Sequence, residues 1–430
     1  MPDLASGGRA VPFPGGTAGG VPVVITGLGV VTALGQGKAA LLDGMLRPRN
    51  VFAPLRREGR QLPVVGGAQA ARPFIGAEIE SVLLPENLGA RAPRDITWSS
   101  RVALAALDEA WHEARLHDVE PERIGLVIGG TNFQQRELAL THQAFRDRAY
   151  YLRPGYAHAF MDTDACGLLT ELFGIRGFAC TIGNASASGQ TAVLHAVQAV
   201  SSGQVDACIA IGALMDLSYW ELQAFRSIGA MGGDRHAADP GSACRPFDAD
   251  RNGFIYGEAC GALVVERADA IRRADVAPYA ICAGGAVAMD GHRHPDPSLQ
   301  GEMRAIAGAL QRCGIAASQI DYVNTHGTAS PLGDAVELEA IRCSGLRGAR
   351  LNATKSIIGH ALSAAGAVEI IATLLQMRAG VLHPTRNLDA PIDPSLNWVR
   401  ASAVHGSVRN ALTLSFGFGG VNSALCLQLP

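Results

Sequence analysis

The stretch CTIGNASASGQTAVLHAVQAV, Cys180 to Val200, mounts one hydroxyl where nucleophiles are often carried. A β-prone run, FACTI, breaks at Gly183, passes through small residues and resumes as a helix with Val193, Leu194, Val197 and Val200 recurring along it. That pattern sets Ser186 on a sharp turn at a helix N-terminus, under unpaired N–H groups and the positive end of the helix dipole. Such a field turns a cysteine into a thiolate; a serine hydroxyl lies too far above neutrality and needs a neighbouring base. Two readings of Ser186 stand: an N-cap, the commonest use of serine at a helix start, and a site hydroxyl.

Three further stretches join small residues to titratable ones. In NTHGTASPLGD, His326 follows a β-run, which places an imidazole at a strand's C-terminal end, where open α/β sheets hold their ligands. Thr328 and Ser330 follow as hydroxyl donors before Pro331 starts a helix; a satisfied structural histidine is the alternative. NATKSIIGHALSAAGAVE holds Lys355, His360 and Glu369. Lys355 beside Ile357 and Ile358 reads as buried, with Glu369 a plausible counter-charge; a surface lysine is the other reading. SFGFGGVN alternates glycine with Phe416 and Phe418, so a backbone N–H can approach a ligand beside a ring that gates access.

These residues need a frame. Buried β-runs occur in VPVVITGLGVVTALG, IGLVIGG, ACIAIGALM and GALVVERA, with helical patterns such as SSRVALAALDEAWHEARL between them. A second series follows: YAICAGGAVAM, GEMRAIAGALQRCG, IDYVNTHG, PLGDAVELEAIRCSG, SAAGAVEIIATLLQMRAG, NALTLSFGFGG and SALCLQL. Strands alternating with helices predict a layered α/β fold with a mostly buried sheet. Two comparable series predict a duplication, residues 21–270 and 271–430, although no clean sequence repeat is visible. Residues 133–163 are polar, aromatic and weakly periodic, and read as an insertion over a partner or a site.

The 430 residues are 48% hydrophobic, enough for a large core, and the net charge of -3 gives no reason to expect nucleic acid or an anionic membrane as partner. Nine cysteines without CxxC spacing indicate neither a disulfide framework nor a metal site, and a cytoplasmic location is expected. Residues 1–20, rich in Gly and Pro, read as a disordered leader. RPFDADRNGF reads as an ion-pair loop near the site, its acids lacking a full calcium set.

Taken together, VVITGLGVVTALG, the ASASG turn, RPFDADRNGFIYGEACGALVVE, HGTASPLGDAVE, TKSIIGHALSAAGAVE and SFGFGGVNSA resemble the β-ketoacyl-acyl carrier protein synthases of the thiolase superfamily, especially the type II elongating branch. The resemblance runs from Val21 to Leu429. It implies a thiolase-like five-layered αβαβα fold, two pseudo-duplicated halves, a homodimer and a tunnel for phosphopantetheine. It makes His326 and His360 the catalytic histidines, with Lys355 ordering them and Glu369 and Asn422 as structural support. Thr328 and Ser330 would hold the pantetheine, serine replacing the more usual threonine. Phe418 would be the gate, its N–H forming an oxyanion hole with that of Ser186. No cofactor is implied beyond the carrier's own phosphopantetheine.

Condensing members have cysteine where this chain has Ser186. Condensation needs sulfur to accept an acyl chain; loss of CO2 from malonyl needs only donors that stabilise an enolate and a dry pocket. The chain is therefore similar to the free-standing ketosynthase-like proteins of polyketide β-branching cassettes, which turn malonyl-ACP into acetyl-ACP for a hydroxymethylglutaryl-synthase-like partner. Two alternatives remain: acyl transfer through an O-acyl-Ser186 with His326 or His360 as base, and a non-catalytic subunit like a chain-length factor. Arg91, Arg94 and Arg101 are expected to dock an acidic carrier.

Overall fold

The computed structural model describes residues 20–47, 49–63, 72–273 and 275–430, so the leader read over residues 1–20 lies outside it except for Gly20. The first half of the chain contributes β1 (Val23–Thr32), α1 (Trp98–Glu113), β2 (Ile124–Gly129), β3 (Ala179–Ile182), α2 (Ser188–Ser201), β4 (Ala207–Gly212) and β5 (Ala259–Arg267). The second contributes β6 (Ala280–Met289), α3 (Leu299–Cys313), β7 (Tyr322–Asn324), α4 (Pro331–Cys343), β8 (Arg350–Asn352), α5 (Ala365–Ala379), β9 (Asn410–Gly417) and β10 (Val421–Gln428).

The two series repeat one topology. Strand order is β3-β2-β4-β5-β1 in one and β8-β7-β9-β10-β6 in the other. In each, the first three strands run parallel and the last two pair antiparallel. The halves meet through their first strands, Val24 opposite Ile281 and Ile25 opposite Ala280.

Alternation along the strands builds the layers. On β5, Cys260, Ala262 and Val264 face α1, whereas Ala259, Leu263 and Val265 face α2 and α5. Helices α3 and α4 cover the outside of the second sheet. The result is helix, sheet, central helix pair, sheet, helix. The GLG of β1 has a packing cause: a Cβ on Gly29 would sit 1.8 Å from the carbonyl oxygen of Ala106, so α1 lies directly on the strand. The apolar stretch Leu362–Ala379, long enough to cross a membrane, is the core helix α5 and its entry turn, buried in protein.

The structure also exposes a short repeat that pattern reading passes over. ASASG (185–189) and LSAAG (362–366) occupy matching places before α2 and α5. Each opens on a left-handed residue, Ala185 at φ 47° and Leu362 at φ 50°, and makes one 3-10 turn before its helix. Their glycines let the two helix entries touch: a Cβ on Gly189 would lie 2.8 Å from Ser363 O, and one on Gly366 2.8 Å from Gln190 N.

Candidate active site

Ser186 follows the strained Ala185, so its side chain leaves the turn instead of capping the helix. The local polar work falls to Ser188, whose Oγ accepts from Asn184 N at 2.8 Å and donates to Ala185 O at 2.7 Å. The N-cap reading of Ser186 is therefore replaced. Its Oγ lies 2.9 Å from His360 Nε2.

His360 is clamped through its backbone: its N–H donates to Ile255 O and its carbonyl accepts from Gly257 N. Its Nδ1 accepts the amide of Leu362 at 3.2 Å. The neutral ring then carries its proton on Nε2, so the imidazole is a donor towards Ser186. Phe254 packs edge-on against it, centroids 5.2 Å apart. His326 sits just past β7, its own amide held by Glu337 Oε1 at 2.6 Å and that of Gly327 by Glu337 Oε2 at 2.8 Å. Lys355 Nζ reaches Glu369 Oε1 at 2.5 Å, the carbonyl of His326, and His326 Nδ1 at 3.3 Å. An ammonium can only donate, so His326 Nδ1 also accepts and its proton, too, is on Nε2.

The two rings stand perpendicular, centroids 5.6 Å apart. Burial, reinforced by the Lys355 charge, holds both imidazoles well below the usual histidine range. Both are neutral N–H donors near pH 7.

The rings open on a cavity of about 440 Å³. Met215, Phe225, Ile228, Phe254 and Leu362 make up much of its apolar lining. The polar part of the lining holds Thr328, Ser330, Asn422 and the acids Asp290, Asp296, Glu302, Asp334 and Glu337. Among the described residues, no lysine or arginine lines it. Thr328 Oγ1 donates to Ser330 Oγ at 3.0 Å, and Asn422 Nδ2 to Asp290 Oδ1 at 2.9 Å. Phe418 lies at the rim, 41% exposed and 6.3 Å from the Phe225 ring, while Phe416 packs on His326 at 5.4 Å.

All the residues singled out from sequence for the site converge here, with Lys355 and Glu369 directly behind the rings. Arg91, Arg94 and Arg101, expected to dock the carrier, are not among the cavity-lining residues: Arg91 ends a short helix, Glu86–Arg91, Arg94 lies in the loop that follows, and Arg101 lies in the first turn of α1. Asp248 of the RPFDADRNGF loop spends its oxygens on Arg245 and on the amides of Asp250, Asp389 and Ala390, which makes it a structural clasp. Pattern reading missed Glu337, Phe254, Phe225 and Glu302. Glu337 was legible as an acid 11 residues past His326 on the next helix; the phenylalanines carried no signal beyond core packing.

Residues 21–270 match the family described as beta-ketoacyl synthase, N-terminal domain, and residues 279–389 its C-terminal domain. The chain belongs to the β-ketoacyl synthase family, with the thiolase-like fold of ketosynthases. It is 52% identical to the polyketide biosynthesis malonyl-ACP decarboxylase PksF of Bacillus subtilis (strain 168), over 94% of this chain and 96% of that one. It is 31% identical to 3-oxoacyl-[acyl-carrier-protein] synthase 2 of Rhizobium meliloti (strain 1021), over 94% and 98%. A β-ketoacyl synthase crystal structure from Burkholderia phymatum STM815 superposes with a TM-score of 0.83 at 25% identity, covering 95% of this chain and all of that one. A type II polyketide ketosynthase in complex with its acyl carrier protein superposes equally well, at 0.83 and 24% identity.

Proposed function

We propose that this chain removes CO2 from a malonyl group carried on an acyl carrier protein and releases acetyl-ACP. The observation that carries the reading is the proton placement on the histidine pair: each Nδ1 accepts, so both rings carry their proton on Nε2 at the cavity, where a thioester carbonyl can take that of His326 and share that of His360 with Ser186. As CO2 leaves, negative charge grows on that oxygen. One such donor is worth about 3–4 kcal/mol, roughly 10² to 10³ in rate. The cavity wall supports the same step. A malonyl carboxylate lying against Phe225 and Phe254 meets no cation, so its charged form is disfavoured and departure as neutral CO2 is favoured.

Thr328 and Ser330 offer their hydroxyls to the pantetheine arm, with Phe418 at the rim as its gate and the amides of Ser186 and Phe418 as further donors. The serine-nucleophile alternative is disfavoured because the nearest imidazole nitrogen already bears a proton and cannot take another from Ser186. Similarity to PksF supports the decarboxylase reading; Ser186 in place of cysteine, as in the ketosynthase-like proteins of β-branching cassettes that the sequence resembles, extends it to a place beside a hydroxymethylglutaryl-synthase-like enzyme. A homodimer is supported by the edge strand β3, which is only half-buried, and by the exposed Tyr150, Tyr151, Phe160 and Met161 in the segment 133–163. Nine free cysteines support a cytoplasmic location.

The test is incubation with malonyl-ACP followed by mass spectrometry of the carrier. Acetyl-ACP should accumulate with Ser186 unmodified. Absence of acetyl-ACP beside a working control enzyme, or a stable acyl adduct on Ser186, overturns the reading.

A further inference from the structure

We propose that Ser186, occupying the place of a nucleophile, serves this reaction as an acid: its hydroxyl hands its proton to the carbon left bare when CO2 departs. This rests on the decarboxylase reading above.

Ser186 Oγ is an acceptor for His360 Nε2–H at 2.9 Å, because His360 Nδ1 is committed to the amide of Leu362. Reversing that bond, with the serine donating, would leave the Leu362 amide without its acceptor in a buried turn. The helix-entry groups make no claim on the hydroxyl, since Ser188 serves them, and Ser415 Oγ bonds only the Ser186 carbonyl at 3.2 Å. Among the described residues, none accepts the Ser186 proton. Its hydroxyl lines the cavity that both histidines line, so the proton is directed at whatever lies under those donors.

The position fits the step. Ser186 Oγ is 2.9 Å from one of the two donors and lines the same cavity, so the α-carbon of a thioester whose carbonyl those donors hold is within reach of the hydroxyl. An acyl-enzyme would present its electrophilic carbon there; here an O–H takes that place. The C–C bond to the carboxylate breaks and its electron pair passes to the enolate as CO2 leaves. That pair then takes the proton of Ser186 to form the new C–H bond of the acetyl group. An alcohol is far more acidic than the α-carbon of a thioester, so the transfer runs downhill. Once carbon is protonated the thioester oxygen is a neutral carbonyl again and gives up its claim on His360 Nε2–H, which turns back to Ser186; that N–H and the N-terminal end of α2 hold the serine alkoxide until water re-protonates it. The hydroxide so formed combines with CO2 as bicarbonate, which balances protons and charge. Acetyl-ACP formation then needs no acylated enzyme.

The experiment compares wild type with S186A and S186C on malonyl-ACP in buffer enriched in ¹³C-bicarbonate and carbonic anhydrase. Acetyl-ACP is read by mass spectrometry, together with ¹³C returning into unreacted malonyl-ACP. Wild type should quench its enolate before CO2 can add back, and return no label. S186A should form acetyl-ACP at least about tenfold more slowly and return label, because its enolate waits for a proton from bulk water. S186C keeps an acidic proton at the same place and should restore fast quenching without label return. S186A at the wild-type rate with no label return overturns the inference. A slow S186A without label return also overturns it, since the hydroxyl would then be acting before CO2 loss. Wild type without acetyl-ACP overturns the decarboxylase reading itself.

Discussion

Lys355 Nζ lies 2.5 Å from Glu369 Oε1, and neither side chain is more than 2% exposed. The other protons of the ammonium are given to the carbonyl and Nδ1 of His326. One buried ion pair thereby fixes which nitrogen of a site histidine is free to donate. Removing one partner strands a buried charge, which typically costs 3–5 kcal/mol. E369A should lose about that much stability in urea denaturation at unchanged m-value, and the K355M/E369L double variant should recover part of it.

Activity should depend on the same pair. Burial pushes the Glu369 carboxyl up to about 7 against the opposing pull of Lys355. Below that pH it is protonated, the ammonium loses its counter-charge and the grip on His326 loosens. Decarboxylation should rise with pH through about 7. In E369Q the carboxyl is gone, so the rate should be low and flat across that range. The histidines themselves should add no limb between pH 6.5 and 8, since both stay neutral there.

H326A and H360A should each lower acetyl-ACP formation by about 10² to 10³, the weight of one donor to a developing oxyanion. The double variant should lose less than the product of the two, because both donors serve one oxygen. Carrier mass spectrometry at saturating malonyl-ACP checks both claims.

Glu302 is buried in the polar lining, and its Oε2 has no hydrogen-bond partner among the described residues. Burial, with Glu337, Asp290 and Asp334 nearby, raises its carboxyl well above the usual 4.5. A carboxyl raised on folding contributes stability below its unfolded value, and that contribution fades as pH rises through the folded one. Stability should therefore decline towards alkaline pH. E302Q, always neutral, should flatten the decline in denaturation curves taken across pH.

Gly189 and Gly366 bring the entries of α2 and α5 together, and a Cβ on either would press 2.8 Å from backbone atoms of the other entry. G366A should destabilise by about 1–3 kcal/mol, the usual range for overpacking, and lower activity by moving the Ser186 turn against His360. Thermal melting and the carrier assay read the two effects separately.

Much of the frame was legible because its signals are local. The buried runs that became β1, β2, β4 and β5 lie where their apolar residues stand, and Pro331 opens α4 as a proline at a first helical position should. The site residues were legible as types: a serine on a tight turn, two histidines after glycine or strand, a lysine among isoleucines. Arg91, Arg94 and Arg101 lie away from the cavity lining, as a carrier-docking surface can, and charge-reversal there with salt-dependent carrier binding as the readout tests that expectation.

By itself the sequence determined the elements, the layered α/β class and the roster of reactive side chains, since periodicity and turn chemistry act over a few residues. The tertiary structure decided where the protons are. His360 meets Ser186 across 174 residues, Lys355 meets His326 across 29, and Phe254 seals one ring from water. The direction of a hydrogen bond and the neutrality of a buried imidazole depend on partners and on exclusion of solvent: Lys355 and Leu362 of the second half supply the partners, and Phe254 of the first half covers one ring.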